Sequence, residues 1–505
     1  MRDKLFANQR YHLRMLEHVK VAIIGSGFAG LGMAIQLSRH GIDDFVVVER
    51  AGEVGGTWRD NTYPGAACDI RSDLYSFSFA PAFDWKFRYG RQPEILAYLR
   101  STADEFGIRS RIHFDSELLD AIWDSSASLW RLHTSTSDFT ASVLVSGAGP
   151  LIDPVWPKIP GIGGFAGERF HSSRWRHDID LAGLRVAVIG TGASAIQFVP
   201  EVQKVAGEVT VFQRTPAWIV PRGDAPTTER RARLFRRLPI LRRAARAWVF
   251  RSAEARFAGF RSATIGGLMQ RFAAGYLRSQ VADPGLRAKL TPAYRIGCKR
   301  ILISSDFYRA MTRSNVRLVT DSIASVEGRE IVTADGERRE FDVLIGGTGF
   351  NATEPSVARL VKGVDGLSLA EAWSPHMEAL HGTTVAGFPN LFLLVGPNSA
   401  LGHNSIVYII EAQIDYVLKA LDAMEARGAA SVVPTPEAQQ RYNRRVQADL
   451  SDSVWLSGGC SSYYLDAGGR NTTLWPHRAA LFRGSVRHFD SSEYRFEHPL
   501  VVAPR

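Results

Sequence analysis

The 505-residue sequence lacks the features that define membrane, secreted or disulfide-rich proteins. No apolar run approaches the roughly 20 residues of a membrane-spanning helix, and the N-terminus has no apolar core followed by a small-residue cleavage site. The three cysteines, Cys68, Cys298 and Cys460, are too few and too scattered for a disulfide framework. The sequence contains no C-x-x-C pair, the motif that indicates zinc binding or dithiol chemistry, so no metal site is expected. These absences predict a cytoplasmic protein.

Acidic residues are scarce in one segment of the chain. Between Arg230 and Arg261 there are eleven arginines and one acid, Glu254, so this segment alone carries the formal charge of +10 found for the whole chain. The remainder is close to neutral. Because the charge is confined to one patch and no recognised nucleic-acid module accompanies it, we expect no nucleic-acid partner.

The same arginine-rich segment has helical spacing, with Leu241, Ala245, Trp248 and Val249 on one predicted side. One interpretation is a surface helix that makes weak contact with anionic lipid. The alternative is a solvated helix packed on the neighbouring domain.

Two strand–glycine turn–helix modules lie about 165 residues apart, at "VAIIGSGFAGLG" and "VAVIGTGASAIQ". Each places a buried strand before the glycine turn and a helix after it, which is the context of a dinucleotide-binding site. The sequence therefore predicts an α/β fold with two Rossmann-like domains.

The first turn has the form G-x-G-x-x-G at Gly25, Gly27 and Gly30. Its glycines allow a tight turn, a close approach to a pyrophosphate and close helix packing. Glu49 ends the next strand, where a carboxylate accepts hydrogen bonds from both ribose hydroxyls and excludes a 2′-phosphate.

The second turn has Gly190, Gly192 and Ser194, with alanine in the last glycine position. No acid ends its second strand. Arg214, followed by Thr215, stands where a 2′-phosphate would lie, and a guanidinium suits that dianion. The alternative is an exposed structural arginine. The simplest pair of cofactors is FAD followed by NADPH, which implies an oxidoreductase.

The predicted domain boundaries follow from the two modules and the Pro-rich stretch "LIDPVWPKIPGIGG". Residues 1–150 and 352–505 are assigned to a discontinuous FAD-binding domain. Residues 151–351 are assigned to an NADPH-binding domain, which includes a helical insertion at about 225–290.

Just before the second turn, the sequence resembles the Baeyer–Villiger monooxygenases, a family of class B flavin-dependent monooxygenases. Their fingerprint F-x-G-x-x-x-H-x-x-x-W appears as Phe165, Gly167, His171 and Trp175. Arg176 departs from the Pro or Asp that follows in the family. The resemblance also covers a set of shorter motifs: Gly55-Gly56-Thr57-Trp58, "YPGAACD", "GCKR" and "GGTGF".

The resemblance implies an enzyme in which NADPH reduces FAD and O2 adds to the flavin as a C4a-peroxide. One oxygen is then inserted next to a ketone carbonyl, which gives an ester or lactone. The implied partners are a small-molecule ketone and O2. Alternatives are oxygenation of nitrogen or sulfur, or an uncoupled NADPH oxidase.

The resemblance also assigns roles to residues. Arg300 matches the catalytic arginine, and Asp69 matches the carboxylate that positions it. Lys299 matches a second cation for the 2′-phosphate, and Gly56, Thr57 and Trp58 match cofactor-binding positions. On a strand, Lys299 and Arg300 would point to opposite faces. The alternatives are a solvated strand edge for this pair and a turn residue for Asp69.

The fingerprint residues are interpreted as a joint between the two domains. Phe165 and Trp175 would pack there, and His171 would carry a hydrogen-bond link; the alternative is a packed linker. Near the C-terminus, "VWLSGGCSSYYLDAGGRNTTLWP" predicts a mobile loop over the substrate with Trp455 as a wedge, or else an ordinary surface loop.

A further loop, "GPNSALGHNS", offers two residues for the flavin ring. Asn398 and His403 are expected to line it, unless they only cap the following helix.

Overall fold

The computed structural model describes residues 17–82 and 84–498. It contains two mainly parallel sheets, each followed or flanked by helices. The expectation of no secretory segment rests partly on N-terminal residues, and these lie outside the described ranges. No helix in the described ranges is long and apolar enough to cross a membrane.

The first part of the chain forms most of the first sheet and its helices. Its elements are β1 (Glu17–Ile24), α1 (Phe28–Arg39), β2 (Phe45–Val48), α2 (Thr57–Asp60), α3 (Gln92–Glu105), β3 (Ile112–His113), β4 (Leu118–Asp124), β5 (Leu129–Thr134) and β6 (Asp138–Ser146).

The second part forms the second sheet, a small meander and the helical insertion. Its elements are β7 (Glu168–His171), β8 (Arg185–Ile189), α4 (Ala195–Val202), β9 (Glu208–Phe212), β10 (Ile219–Val220), α5 (Glu229–Arg237), α6 (Pro239–Arg256), α7 (Ala258–Arg261), α8 (Ala263–Gln280), α9 (Pro284–Lys289), β11 (Leu302–Ile303), α10 (Phe307–Met311), β12 (Val316–Val319), β13 (Ile323–Glu327), β14 (Glu330–Thr333), β15 (Arg338–Glu340) and β16 (Val343–Gly346).

The last part returns to the first sheet and adds a helical layer. Its elements are α11 (Val357–Leu360), β17 (Val361–Lys362), α12 (Leu369–Ala372), β18 (Leu391–Leu393), α13 (Ile406–Arg427), β19 (Ser431–Pro434), α14 (Pro436–Leu450), α15 (Val454–Ser457), α16 (Ala479–Ser485) and β20 (Tyr494–Glu497).

The first sheet has the order β17-β4-β5-β6-β1-β2-β3, and β18 also pairs with β6. β1 runs parallel to β2 and β6, whereas β5 is antiparallel to β4 and β6. The second sheet has the order β12-β9-β8-β16-β7, and all its pairs are parallel. The predicted α/β fold with two Rossmann-like units is confirmed; the domain boundaries stay a prediction.

Both sheets are covered on their two faces, as the apolar runs in their central strands require. In β1, Val21 and Ile23 belong to one buried apolar cluster, and Ala22 and Ile24 belong to another. The residues of β8 alternate in the same way between two clusters. Side chains alternate across a strand, so the central strands pack against layers on both sides.

The chain passes between the two sheets twice, and the two crossings lie side by side. The Val155 amide of the first crossing donates to the carbonyl of Gly349 in the second, at 3.0 Å. Pro154 and Phe350 also form an isolated β-bridge. Any relative movement of the sheets therefore involves both segments together.

The insertion is helical as expected, but its predicted apolar side is divided. Val249 is buried on α6, while Trp248 beside it is 61% exposed. The reason is that α6 docks through Val249, Ala253 and Glu254, the buried residues of its inner face.

The cysteines also differ from expectation, because Cys298 and Cys460 form a disulfide while Cys68 is free and buried. The two bonded residues are 162 positions apart, so their spacing in the sequence does not indicate a disulfide. The bridge is a single cross-link and not the framework that was excluded.

Candidate functional site

A cavity of about 1390 Å³ lies where the glycine turns of the two sheets meet. Both turns contribute to its wall, together with Asp69, Lys299 and Arg300. Ligands of open α/β sheets bind outside the carboxyl ends of the strands, which is where this cavity is found. It is large enough for more than one ligand of dinucleotide or substrate size.

The first glycine turn is built for close backbone approach. Gly25 has φ of +90°, a conformation that favours glycine. A Cβ on Gly30 would lie 1.7 Å from the Gly25 carbonyl oxygen, so only glycine lets α1 pack this closely. Gly27 is the N-cap of α1 and supplies no side-chain hydrogen bond to the helix. The first-turn amides of α1 are therefore available to a pyrophosphate.

Glu49 lies against this turn at the end of β2, as predicted. The amide and hydroxyl of Ser26 donate to Glu49 Oε2 at 2.9 and 2.7 Å, and Arg59 donates to Oε1 at 2.8 Å. The carboxylate lines the cavity and is almost fully buried. A negative charge at this position suits ribose hydroxyls and repels a phosphate.

Gly56, Thr57 and Trp58 form a second wall beside the first turn. Gly56 has φ of +50° and is the N-cap of α2, and a Cβ added to it would lie 3.2 Å from the Gly27 Cα. The Trp58 indole donates to the Tyr75 hydroxyl at 3.0 Å. All three predicted residues line the cavity.

The second glycine turn repeats this geometry. Gly190 has φ of +105°, and a Cβ on it would lie 2.4 Å from the Gly347 carbonyl oxygen. Ser194 is the N-cap of α4 and makes no side-chain cap. Gly192 and Thr215 line the cavity with them, and the Thr191 hydroxyl donates to the Thr215 carbonyl at 3.3 Å.

Arg214 and Lys299 place two cations at the same end of the cavity. Both line it, and the Lys299 ammonium lies 5.3 Å from the centre of the Tyr294 ring. Burial lowers the pKa of Lys299, and the charge of Arg214 lowers it further. Two cations that repel each other gain from an anion between them, so this pair suits a 2′-phosphate.

Arg300 and Asp69 form an ion pair in the cavity wall. Nε and Nη2 of Arg300 both donate to Asp69 Oδ2, at 2.8 and 2.5 Å. Asp69 holds the pKa of the Arg300 guanidinium well above its ordinary value. Among the described residues Nη1 of Arg300 has no hydrogen bond, so a donor remains for a ligand.

The turn that carries Asp69 is fixed to the second sheet's helix. The Gln197 side chain of α4 donates to the Ala67 carbonyl at 3.0 Å and accepts from the Ala67 amide at 3.1 Å. Lys299 and Arg300 lie in a turn before β11, not on a strand as expected. Both side chains reach the same cavity, because no strand alternation separates them.

The fingerprint residues surround the two chain crossings. His171 ends β7, is 3% exposed, and its ring packs edge-on against Trp156 and Phe350, one from each crossing. Burial lowers the pKa of His171 to about 4, so the ring is neutral at ordinary pH.

The other fingerprint positions are packing positions. Phe165 is buried, and a Cβ on Gly167 would lie 2.4 Å from the Asp342 carbonyl oxygen. Trp175 packs on Phe198 of α4 at 5.4 Å between ring centres. Arg176, which stands where the family has Pro or Asp, is exposed and pairs with Asp178 at 2.5 Å.

Three sequence-based expectations are wrong in their details. Trp455 is 1% exposed and stacks on Phe260, so it belongs to the core and does not act as a mobile wedge. His403 bonds to the buried carboxylate of Glu254 at 3.0 Å, and it does not line the described cavity. Asn398 donates to backbone carbonyls of the C-terminal loop and is likewise buried away from the cavity.

The segment around Trp455 does reach the cavity, but through residues that were not singled out. Ser461, Ser462, Tyr463 and Tyr464 line it, as Arg300 does. The only sequence signal was the aromatic, glycine-rich composition of the stretch.

Two nucleotide-binding turns, a shared cavity and a half-buried arginine–carboxylate pair define the class of a flavin- and nicotinamide-dependent oxidoreductase. A family model described as pyridine nucleotide-disulphide oxidoreductase matches residues 22–227. A Baeyer-Villiger monooxygenase of Streptomyces coelicolor is 48% identical over 97% of this chain and 94% of its own length. One of Pseudomonas aeruginosa is 47% identical over 94% and 91%. The chain therefore belongs to the Baeyer–Villiger monooxygenase family.

Solved structures agree with this membership. OTEMO in complex with FAD and NADP superposes with a TM-score of 0.86 at 27% identity, over 95% of this chain and 99% of that one. Cyclohexanone monooxygenase from Rhodococcus sp. Phi1 bound to NADP+ has a TM-score of 0.87 at 26% identity, over 96% and 100%. The predicted family, enzyme class and pair of cofactors are confirmed; the roles of individual residues stay predictions.

Proposed function

We propose that this enzyme uses NADPH and O2 to insert one oxygen atom next to the carbonyl group of a ketone, giving an ester or lactone. The observation that carries the proposal is the Arg300–Asp69 ion pair in the wall of a cavity shared by both glycine turns. A permanent cation is needed where negative charge develops on a carbonyl oxygen, and an arginine keeps its charge when buried.

The residues fit the two cofactors in different ways. Gly25, Gly27 and Gly30 would hold the FAD pyrophosphate, with Glu49 accepting from the ribose hydroxyls. In the second site, Arg214 and Lys299 would hold the 2′-phosphate of NADPH. Bound FAD, reduced by NADPH, supplies the activation of O2.

Arg300 acts on the ketone in this proposal. Its Nη1 donor is free to bind the carbonyl oxygen, and its charge stabilises the oxyanion that forms when the carbonyl carbon is attacked. Asp69 occupies the other two donor atoms through Oδ2 and so fixes the plane of the guanidinium. Asp69 is therefore a positioning residue as well as a wall of the flavin site.

His171 has a different role, at the joint between the sheets. Its ring contacts both chain crossings, so its packing depends on their relative position. We assign it, with Phe165 and Trp175, to keeping the two nucleotide sites aligned during the reaction. The remaining space next to Tyr463 and Tyr464 is assigned to the ketone.

The first experiment is a product analysis with purified, FAD-loaded enzyme, NADPH, O2 and a panel of cyclic and linear ketones and thioethers. Expected products are esters and lactones, with NADPH consumed in equal amount. Arg300→Ala should lose ester formation, while Arg185→Ala serves as a control because that arginine pairs with Asp342 away from the cavity. Sulfoxide without any ester from the wild type would assign heteroatom oxygenation instead, and hydrogen peroxide alone would assign an oxidase.

The expected cytoplasmic location also remains a prediction. Fractionation of cells that express the full chain tests it, since recovery in a secreted fraction would contradict it.

A further inference from the structure

The helical insertion exposes an unusual number of large apolar side chains. Half of the exposed large apolar residues in the described ranges lie on it or at its helix ends. We name these residues the insertion patch: Leu234, Leu238, Ile240, Leu241, Trp248, Ile265, Leu268 and Phe272. Large exposed apolar side chains concentrated on one part of a folded protein indicate a contact site.

The patch residues occupy the outer sides of docked helices. On α6, Ile240 is 71% exposed and Trp248 is 61% exposed, although Val249 and Ala253 anchor the same helix. Spacing of eight residues puts Ile240 and Trp248 on one side of a helix. Their exposure is therefore a property of the folded helix and not of a loose segment.

The second long helix repeats this arrangement. Leu268 is 58% exposed and Phe272 is 62% exposed, while Ala273 and Leu277 are buried on the inner side of α8. Ile265 extends the outer row by one turn. Two helices thus present apolar side chains outward while their inner sides are satisfied by packing.

The charge around the patch is positive, because the insertion at about 225–290 carries fifteen basic residues and only three acids, Glu229, Glu254 and Asp283. Its single acid between Arg230 and Arg261, Glu254, is turned inward, where it accepts from Asn404 at 2.8 Å and from the Ala479 amide at 3.1 Å. From outside the insertion, the Arg71 guanidinium lies 5.1 Å from the Trp248 ring centre, and it also pairs with Asp73 at 3.4 Å.

A small cavity of about 320 Å³ lies beside these helices and is rich in arginine. Arg231 in its wall is neutralised by Asp73. Arg242 and Arg243 also line it, and neither forms an ion pair with the described residues. These two guanidinium groups are suited to the phosphate of a lipid headgroup, since phosphate pairs well with arginine.

We propose that the insertion patch docks the enzyme on a membrane surface that contains anionic phospholipid. Apolar side chains would enter the boundary between headgroups and acyl chains, and the surrounding arginines would bind the phosphates. A second copy of this chain is disfavoured as occupant, because two patches of the same positive charge repel each other. The proposal is independent of the reaction that the enzyme catalyses.

The test is flotation of the FAD-loaded enzyme with vesicles, either of phosphatidylcholine alone or with about one-third phosphatidylglycerol. We expect at least ~10-fold tighter binding to the anionic vesicles, with the difference lost at about 0.5 M salt. The variant carries Ile240→Gln, Trp248→Gln, Leu268→Gln and Phe272→Gln. Its matched control carries Leu119→Gln, Val205→Gln, Leu367→Gln and Leu481→Gln, four exposed apolar residues outside the insertion.

The outcomes separate the occupants of the patch. Loss of vesicle binding in the patch variant, with retention in the control, supports the proposal. Equal binding of both variants, equal binding to the two kinds of vesicle, or no binding by the wild type overturns it. A change in oligomeric state of the patch variant by light scattering, without vesicle binding by the wild type, would identify a contact between copies of the chain.

Discussion

Removing one partner of the Arg300–Asp69 pair should lower stability, whereas removing both should restore most of it. The single variants are Arg300→Met and Asp69→Ala, and the third variant combines them. Breaking a fully buried pair costs 3–5 kcal/mol, since one charge is left without compensation. Here the side chains are 27% and 29% exposed, so water reduces the expected cost to about 2 kcal/mol for each single variant. The double variant has no unpaired charge and should regain most of that loss.

The measurement is the thermal midpoint of unfolding at saturating FAD, where a loss of about 2 kcal/mol corresponds to a shift of a few degrees. Activity should behave differently from stability. Arg300→Met and the double variant should both form ester ~10²–10³-fold more slowly, because the donor to the developing oxyanion is gone.

Anaerobic reduction of the flavin by NADPH, followed by stopped-flow absorbance, should change little in either variant. If the double variant is no more stable than either single variant, the two residues are not coupled in the way proposed. If Arg300→Met forms ester at the wild-type rate, Arg300 does not have the catalytic role proposed for it.

Other predictions concern the second site, the glycine turn, the joint and the disulfide. Arg214→Ala should raise KM for NADPH far more than KM for NADH; equal effects would remove this residue from the phosphate site. Gly30→Ala should abolish FAD retention on gel filtration, because the added Cβ would lie 1.7 Å from a backbone oxygen of the turn. Burial holds the pKa of His171 near 4 instead of 6.5, so the unfolded chain takes up a proton that the folded chain excludes as the pH falls. Protonation of this residue therefore does not affect the free energy of unfolding above pH 6.5, but lowers it by about 3 kcal/mol between pH 6.5 and pH 4. The variant His171→Asn should not show this loss when thermal midpoints are measured across that range. Replacing Cys298 and Cys460 by serine should cost about 3 kcal/mol of stability, and a midpoint of the wild type that does not respond to reductant would contradict the bridge.

The glycine turns could be predicted from the sequence because their causes are local. A buried strand, a turn that needs positive φ and a helix that packs closely all lie within about ten residues of Gly25 or Gly190. Their steric requirements leave a direct mark on the residue types. Glu49 follows from the same module, since it stands at the end of the next strand.

The Arg300–Asp69 pair was available only through the family resemblance. The two residues are 231 positions apart, and nothing in the spacing or periodicity of the chain brings them together. The contact depends on how α4 holds the turn of Asp69 through Gln197. Such a contact is a property of the packed domains and not of either segment.

The errors have the same origin. The sequence of a glycine-rich stretch does not show whether an aromatic residue in it is buried or exposed. Trp455 is buried because it stacks on Phe260, which lies in the insertion. His403 bonds to Glu254, 149 positions earlier. In both cases the helical insertion supplied the contact that turned the predicted site residue into a core residue.

The Cys298–Cys460 bridge shows how distant segments combine into one wall of the cavity. Cys298 directly precedes Lys299 and Arg300, and Cys460 precedes the cavity-lining stretch that contains Tyr463. The Arg295 amide also donates to the Gly458 carbonyl at 3.0 Å, so the two segments are joined at two points. The cation and the aromatic wall are therefore constrained to move together. A ketone bound between them, as proposed, would therefore keep its orientation toward Arg300.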